Sequence, residues 1–586
     1  MNCKLFVFLY FIISVCFASA QTNIRETDII EKQMQYLASD MLEGRAIGSK
    51  GDSLTRDYIR NIFEQYDLTF IDPSGLQLFD LTTSIKLGEN VFFRVGNQSA
   101  ICDTDFTVYA FSGNKQVTAE GVFIGFGLVI DTENFSRNDY AGKNVKDKWV
   151  VMLDANPVIK DTTAQISFPE IRSKALTARD KGALGVVVVN TAANNRHDEL
   201  SSLHFEHTHA NVGIPVINLT RQWADNYLFT GEFTTDSLET LITLENHVDV
   251  LLPQITALTE IVKINTSTSN VVGILAGDDP KLKNEFIVVG AHYDHLGYGG
   301  TGSGSRTPDT VAIHYGADDN ASGVVGMIEL GRRFAWSKSQ PKRSIIFVAF
   351  GSEEVGLLGS KYFVQQALHD SMNIKAMINF DMIGRLNDKK TITIGGSGTA
   401  VESEVLLEKI GKNHDLSLAF SPEGYGPSDH ASFYAENIPV FYISTGAHTD
   451  YHTPNDTWDK INYDGMLEII NFTEDLLIEL TNGKQLTFQE AGPTNQSTHA
   501  NLKITLGIMP DFSDSGNNGL GVGGVSKGKA AERAGILKGD KITAINGMSI
   551  SNIYDYMDRM KQFKSGDCIS VDILRKEEPL VIIVNL

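Results

Sequence analysis

Apolar residues recur in different rhythms along this chain. Near the start, Ile29, Ile30, Met34 and Leu37, then Tyr58, Ile59, Ile62 and Phe63, recur at helical spacing. That pattern predicts helices within residues 24–110. From 111 to 250 the apolar residues gather instead in short runs at 121–125, 149–153, 185–190 and 214–217, with a helix expected over 173–181 running into Gly182. This stretch reads as a compact β-rich module with no cluster of catalytic type. Over 255–482, strand runs at 286–289, 345–350, 376–380, 391–394 and 440–443 alternate with helical runs at 323–334 and 357–368. Such alternation predicts an α/β fold whose mostly parallel sheet is sandwiched by helices. The composition turns polar across 483–501, a linker, before a last β-rich unit at 502–586.

The opening twenty residues follow another pattern. Lys4 precedes a short apolar run at 5–17, and Ala18, Ser19 and Ala20 supply a small-residue cleavage site. These are the parts of a secretory signal peptide, and the run is shorter than the roughly 20 residues needed to span a bilayer. The expectation is export to the periplasm or the extracellular space, with cleavage near Ala20. Retention of the segment as an anchor is the alternative. No later run is long enough to span.

Composition narrows the chemistry. With 586 residues the chain should divide into several domains, and its formal net charge of −22 disfavours nucleic acid and anionic membranes as partners. Of four cysteines, Cys3 and Cys16 leave with the signal. Cys102 and Cys568 cannot build a disulfide framework or a Cys-rich zinc site. Any metal must be held by His, Asp and Glu.

Such residues cluster after the predicted strands of the 255–482 region: His292, Asp294 and His295; Asp318 and Asp319; Glu353 and Glu354; Asp381; and Asp450, Tyr451 and His452. In open α/β sheets the crevice at the carboxyl ends of the strands binds ligands, so residues distant in sequence converge there. Asp319, Glu353, Glu354 and Asp381 gathered without counter-ions could not all ionise. Histidine and carboxylate together suit zinc. Two zinc ions would balance three ligand carboxylates and a hydroxide, leaving Glu353 as an unligated base.

These segments resemble the co-catalytic di-zinc aminopeptidases (metallopeptidase family 28), whose relatives include glutamate carboxypeptidase, glutaminyl cyclase and the transferrin-receptor ectodomain. The resemblance implies two Zn2+ ions. One would be held by His292 and Asp381, the other by Glu354 and His452, with Asp319 bridging them through a residue whose following peptide bond is often cis. It further implies that Glu353 takes a proton from the metal-bridging water and gives it to the leaving amine. Asp294 would orient His292, and Tyr451 would hydrogen-bond the developing oxyanion. His295, Asp318 and His430 match no ligand position and read as structural or pocket-lining. His204, His207 and His209 read as exposed loop histidines. The Gly- and Ser-rich stretch 298–305 is expected to form a mobile rim.

Leu37 to Arg45, with its Leu42-Glu-Gly-Arg45, resembles the start of the same family, so the peptidase domain is expected to be split around the 111–250 module. That module resembles a protease-associated (PA) domain through residues 148–153, 178–190 and 214–217. Residues 502–586 resemble a bacterial PDZ domain through 506–508, 530–535, 538–540 and 544–547. PDZ domains accept a peptide's carboxyl end as an added strand. The implied function is aminopeptidase action on peptide substrates. Carboxypeptidase or glutaminyl cyclase activity at the same site, and a non-catalytic PA/PDZ peptide-binding protein, stay open as alternatives.

Overall fold

The computed structural model describes residues 25–132, 135–157, 168–203, 205, 211–229, 233–244, 248–491, 504–510, 518–526 and 528–586. The signal segment, His204, His207 and His209, and residues 492–501 of the polar linker lie outside the described residues. No helix among the described residues is long and apolar enough to cross a membrane.

The chain begins with two helices that pack on a sheet formed mostly far downstream. In α1 (Glu26–Leu37) the buried residues Ile30, Met34 and Leu37 share one face. In α2 (Lys50–Gln65) Ser49 caps the start by accepting the Asp52 N–H at 3.1 Å, and Ile59, Ile62 and Phe63 are buried. The nine-stranded sheet takes β1 (Leu76–Leu87), β2 (Ile261–Leu275), β3 (Glu285–His292), β4 (Ser344–Phe350), β5 (Asn373–Phe380), β6 (Thr391–Gly395), β7 (Ser417–Ser421) and β8 (Val440–Ser444), with the short Thr69–Phe70 at one edge. From β2 onward its order is β2-β4-β3-β5-β8-β6-β7, and the central four strands, β4-β3-β5-β8, are parallel. Their near-continuous apolar runs follow from burial on both faces. On one face lie α1, α2, α3 (Gly323–Ala335) and α5 (Tyr463–Asn482); on the other, α4 (Leu358–His369) packs with the short helix His430–Tyr434.

A separate eight-stranded sheet occupies the middle of the chain. Its all-buried strands Trp149–Leu153, Gly185–Val189 and Val216–Leu219 pair in parallel, and all but Asn218 of their residues are apolar or glycine. This sheet also recruits Phe92–Val95, Gln98–Ala100 and Phe106–Val108, which precede the boundary expected at 110, and it closes with Leu251–Thr259. β1 and β2 connect the two sheets as a long antiparallel ribbon whose outermost pair is Leu87 with Ile261.

The C-terminal unit is a smaller antiparallel sheet with the helices Ala530–Ala534 and Ile553–Met560. Its helix Ile553–Met560 lies against Ile171–Asp180 of the middle module. Arg179 Nη1 reaches the buried Asp555 carboxylate at 3.2 Å, and the Arg172 guanidinium stands 3.9 Å from the Tyr554 ring centroid. Lys538 contacts Glu436 of the large sheet's domain at 2.7 Å.

Candidate metal centre

All but one of the acidic or histidine segments follow a central strand. His292 is the last residue of β3, Glu353 and Glu354 follow β4, Asp381 follows β5, and the loop after β8 carries Tyr451 and His452. Asp319 lies in the turn that opens α3, and its peptide bond to Asn320 is cis. The parallel sheet thus gathers residues from five segments on one crest.

Asp319 stands at the centre. Its Oδ1 lies 3.3 Å from His292 Nε2, and its Oδ2 lies 3.0 Å from His452 Nε2. The two oxygens of one carboxylate therefore face different histidines. Asp381 Oδ1 is 3.8 Å from His292 Nε2, while Glu354 Oε2 is 3.2 Å from His452 Nε2. The result is two donor groups sharing Asp319: His292, Asp319 and Asp381 form one, and Asp319, Glu354, His452 and His295 form the other. Nitrogen and carboxylate donors in this number fit two borderline divalent ions such as zinc. The electrostatics agree. Burial opposes charge on both imidazoles, yet Glu353, Asp319 and Asp381 hold His292 well above the ordinary histidine range, and Asp319 and Glu354 push His452 up to about 10. Without cations the imidazoles hold protons as counter-charge to Asp319 and Glu354, the behaviour of a cation site.

The histidines are oriented from behind. His452 Nδ1 lies 3.0 Å from the Gly304 carbonyl, which can only accept, so Nδ1 donates there and Nε2 is the nitrogen turned toward the acids. Arg306 N–H also donates to the His452 carbonyl at 3.0 Å. The stretch expected to form a mobile rim is therefore bonded to a candidate ligand. His292 Nδ1 meets the Asp294 main-chain carbonyl at 3.2 Å, closer than the Asp294 carboxylate at 3.9 Å. That carboxylate accepts the N–H groups of Glu353 and Glu354 at 3.0 and 3.3 Å. Asp294 thereby sets the Glu353-Glu354 turn as well as backing His292.

Glu353 lies beside the centre, Oε2 3.9 Å from His292 Nε2. Burial, reinforced by Glu354, Asp429 and Asp381 and opposed by His292, holds its carboxyl well above the ordinary range. Tyr451 stacks on His452 with ring centroids 3.9 Å apart. Burial and four neighbouring carboxylates raise its phenol, so it stays a hydrogen-bond donor. Asp318 points elsewhere: its Oδ1 accepts the Gly384 N–H and its Oδ2 faces His448 at 3.2 Å. His430 packs against Tyr442 at 4.7 Å, and burial lowers it to about 3.

Three supporting residues escaped sequence reasoning. His295, read as structural or pocket-lining, enters the second donor group. Asp456 accepts the N–H groups of Asp318 and Asp319 at 2.9 and 3.1 Å. Arg45, only 1% exposed, donates to the carbonyls of Leu37, Tyr293, Tyr315 and Gly316 at 2.6–2.8 Å. Its own carbonyl and that of Gly44 accept the N–H groups of His295 and Gly297. A cation buried at this point faces the field of Asp319, Asp456, Asp294 and Glu354. The Leu42-Glu-Gly-Arg45 motif marked this segment but not its task. Gly44 has φ +71°, and an added Cβ would lie 2.5 Å from the carbonyl oxygens of Gly297 and His314. Gly44→Ala is accordingly expected to cost about 1–3 kcal/mol, visible as a lower Tm; an unchanged Tm would show that the segment can shift freely.

Comparisons with known proteins give a family match for each of two segments. Residues 270–476 match the model of peptidase family M28, and residues 495–571 match that of the PDZ domain. Over 304 residues the chain is 29% identical to "Aminopeptidase YwaD" of Bacillus subtilis, covering 49% of this chain and 55% of that protein. Over 200 residues it is 28% identical to "Probable leucine aminopeptidase" of Arthroderma otae, covering 32% and 52%. The chain thus spans about half the length of these curated relatives. Among solved structures, the aminopeptidase from Aneurinibacillus sp. strain AM-1 aligns over 80% of this chain and 98% of that one, with 21% identity and a TM-score of 0.47. Residues 270–476 are thus similar to peptidase family M28, and the segment behind them is similar to a PDZ domain.

Proposed function

We propose that this protein is an exported zinc aminopeptidase that removes residues from the amino end of peptides. The observation that carries the reading is Asp319, whose two carboxylate oxygens face His292 and His452 separately while Glu353 stands alongside. His292, Asp381 and Asp319 would hold one Zn2+, and Glu354, His452 and Asp319 the other. Bound there, the ions would polarise the scissile carbonyl and acidify the attacking water. Glu353 accepts the proton of that water and returns it to the leaving amine, a task suited to a carboxyl whose proton affinity burial has raised. Tyr451 donates to the oxygen that gains charge. Export rests on the signal-like residues 1–20.

The 111–250 module, which resembles a PA domain, would shape access to the cleft. In the PDZ domain the edge strand Ile508–Pro510, paired with Leu520–Val525, offers a place for a peptide's carboxyl end to add as a strand.

The test separates the two ends of a substrate. An aminopeptidase reads the free α-amine, and acetylation removes its charge and its lone pair. A short peptide with a free amine should be shortened stepwise from that end and its acetylated twin left intact, as read by mass. Loss of the C-terminal residue from the acetylated peptide at a similar rate would replace this reading with a carboxypeptidase. Cyclisation of an N-terminal Gln without hydrolysis would replace it with a cyclase.

A further inference from the structure

We propose that His295 is a positioning residue of the second donor group: it donates its Nδ1–H to Oε1 of Glu354 and so turns Oε2 toward the ion shared with Asp319 and His452. The inference rests on the metallopeptidase reading and adds to the five-ligand set a residue outside it.

The distances divide the labour. His295 Nδ1 is 2.7 Å from Glu354 Oε1, a hydrogen-bond length, and 3.8 Å from Asp319 Oδ2. Glu354 Oε2 lies 3.2 Å from His452 Nε2, which lies 3.0 Å from Asp319 Oδ2. Two carboxylate oxygens converge on the one nitrogen of His452, as donors do around an ion, whereas the 2.7 Å contact is a one-to-one hydrogen bond. An ionised carboxylate only accepts, so the proton is on Nδ1. One oxygen of Glu354 is thereby occupied and the other left for the metal.

The ring is held for this purpose. It is buried, and its edge meets the His452 ring at 5.6 Å and 72°. It lies over Gly316, where a Cβ would stand 2.5 Å from His295 Cδ2. From the other side, its main-chain N–H donates to the Arg45 carbonyl at 3.3 Å. A carboxylate ligand without such a partner can rotate about its terminal torsion and present either oxygen. Partners behind a ligand generally change metal affinity by about 10–100-fold.

The experiment uses the full chain, stripped of metal with a chelator. Zinc binding is followed by calorimetry and cobalt(II) binding by its visible spectrum. H295F, which keeps a ring but no donor, should bind one ion about 10–100-fold more weakly and the other unchanged. H295N, whose amide N–H can stand near the Nδ1 position, should recover most of the loss, with the cobalt bands at their wild-type positions. Wild-type affinity for both ions in H295F overturns the proposal. Equal weakening in H295N and H295F with shifted cobalt bands also overturns it, because the imidazole is then itself a ligand. Should H295F fail to fold, H295L takes its place with the same two outcomes. A wild-type chain that takes up no ion sinks the metallopeptidase reading together with this role, whereas the earlier outcomes sink the role alone.

Discussion

Glu353→Gln should lower kcat by roughly 10²–10⁴-fold, the usual contribution of general acid–base catalysis, while leaving metal content unchanged. The neighbouring Glu354→Gln should instead lose metal. The contrast follows from where one turn sends two adjacent side chains. Asp294 fixes both main-chain N–H groups, so neither substitution disturbs the other position's backbone. Glu354 then points Oε2 at 3.2 Å from His452 Nε2, in the donor group that holds Asp319, while Glu353 stands at 3.9 Å from His292 Nε2, in a group that lacks Asp319. The amide of Gln keeps the shape of the proposed base but cannot accept the proton. Elemental analysis alongside turnover on a free-amine peptide decides it. Equal metal loss in the two variants would mean that both carboxylates are ligands and that the base lies elsewhere.

The largest effect on stability is expected at Arg45. Arg45→Met leaves the carbonyls of Leu37, Tyr293, Tyr315 and Gly316 without their donor in a buried setting. Orphaned buried acceptors cost about 1–3 kcal/mol each before relaxation. Taking a charged member out of a buried network costs roughly 3–5 kcal/mol overall. Arg45→Lys should recover only part, because an ammonium cannot reproduce the guanidinium's fork of donors. The denaturant midpoint of the peptidase domain reads the result, and a loss below about 1 kcal/mol would show that water or a backbone shift replaces the clamp.

How legible these features were depended on the kind of interaction. The parallel strands were plain because each is buried on both faces, as at Ser344–Phe350, and their apolar runs stand out. The residues just after them could be read as a site because the topology of a parallel sheet brings strand ends together. Arg45 and His295 were not legible as participants. Nothing local distinguishes an arginine aimed at four main-chain carbonyls from one on the surface, and a second histidine three residues after the first has no periodic meaning in a loop. The start of the middle sheet was missed for a different reason. Phe92–Val95 and Phe106–Val108 are too short to establish an alternation, and their strand character comes from partners at Ala257 and Leu219 far along the chain. Asp294 shows a subtler limit: the family resemblance marked it as a companion of His292, but only geometry shows its carboxylate bonded to the Glu353-Glu354 turn.

The β1–β2 ribbon has a consequence for how the chain reaches this state. Arg45 must find Tyr293 and Gly316, yet residues 88–260 intervene, and closing so long a loop carries an entropy that grows with the logarithm of its length. The ribbon changes that arithmetic. Because Leu87 sits opposite Ile261, a middle module that folds by itself holds the two ends of the intervening segment side by side. For the peptidase halves the remaining loop then shrinks to little more than a hairpin. Assembly order would consequently run from the inside of the chain outward, with the catalytic domain the later unit to close. Lesions in the middle module would then slow formation of a candidate metal centre that none of its described residues touch.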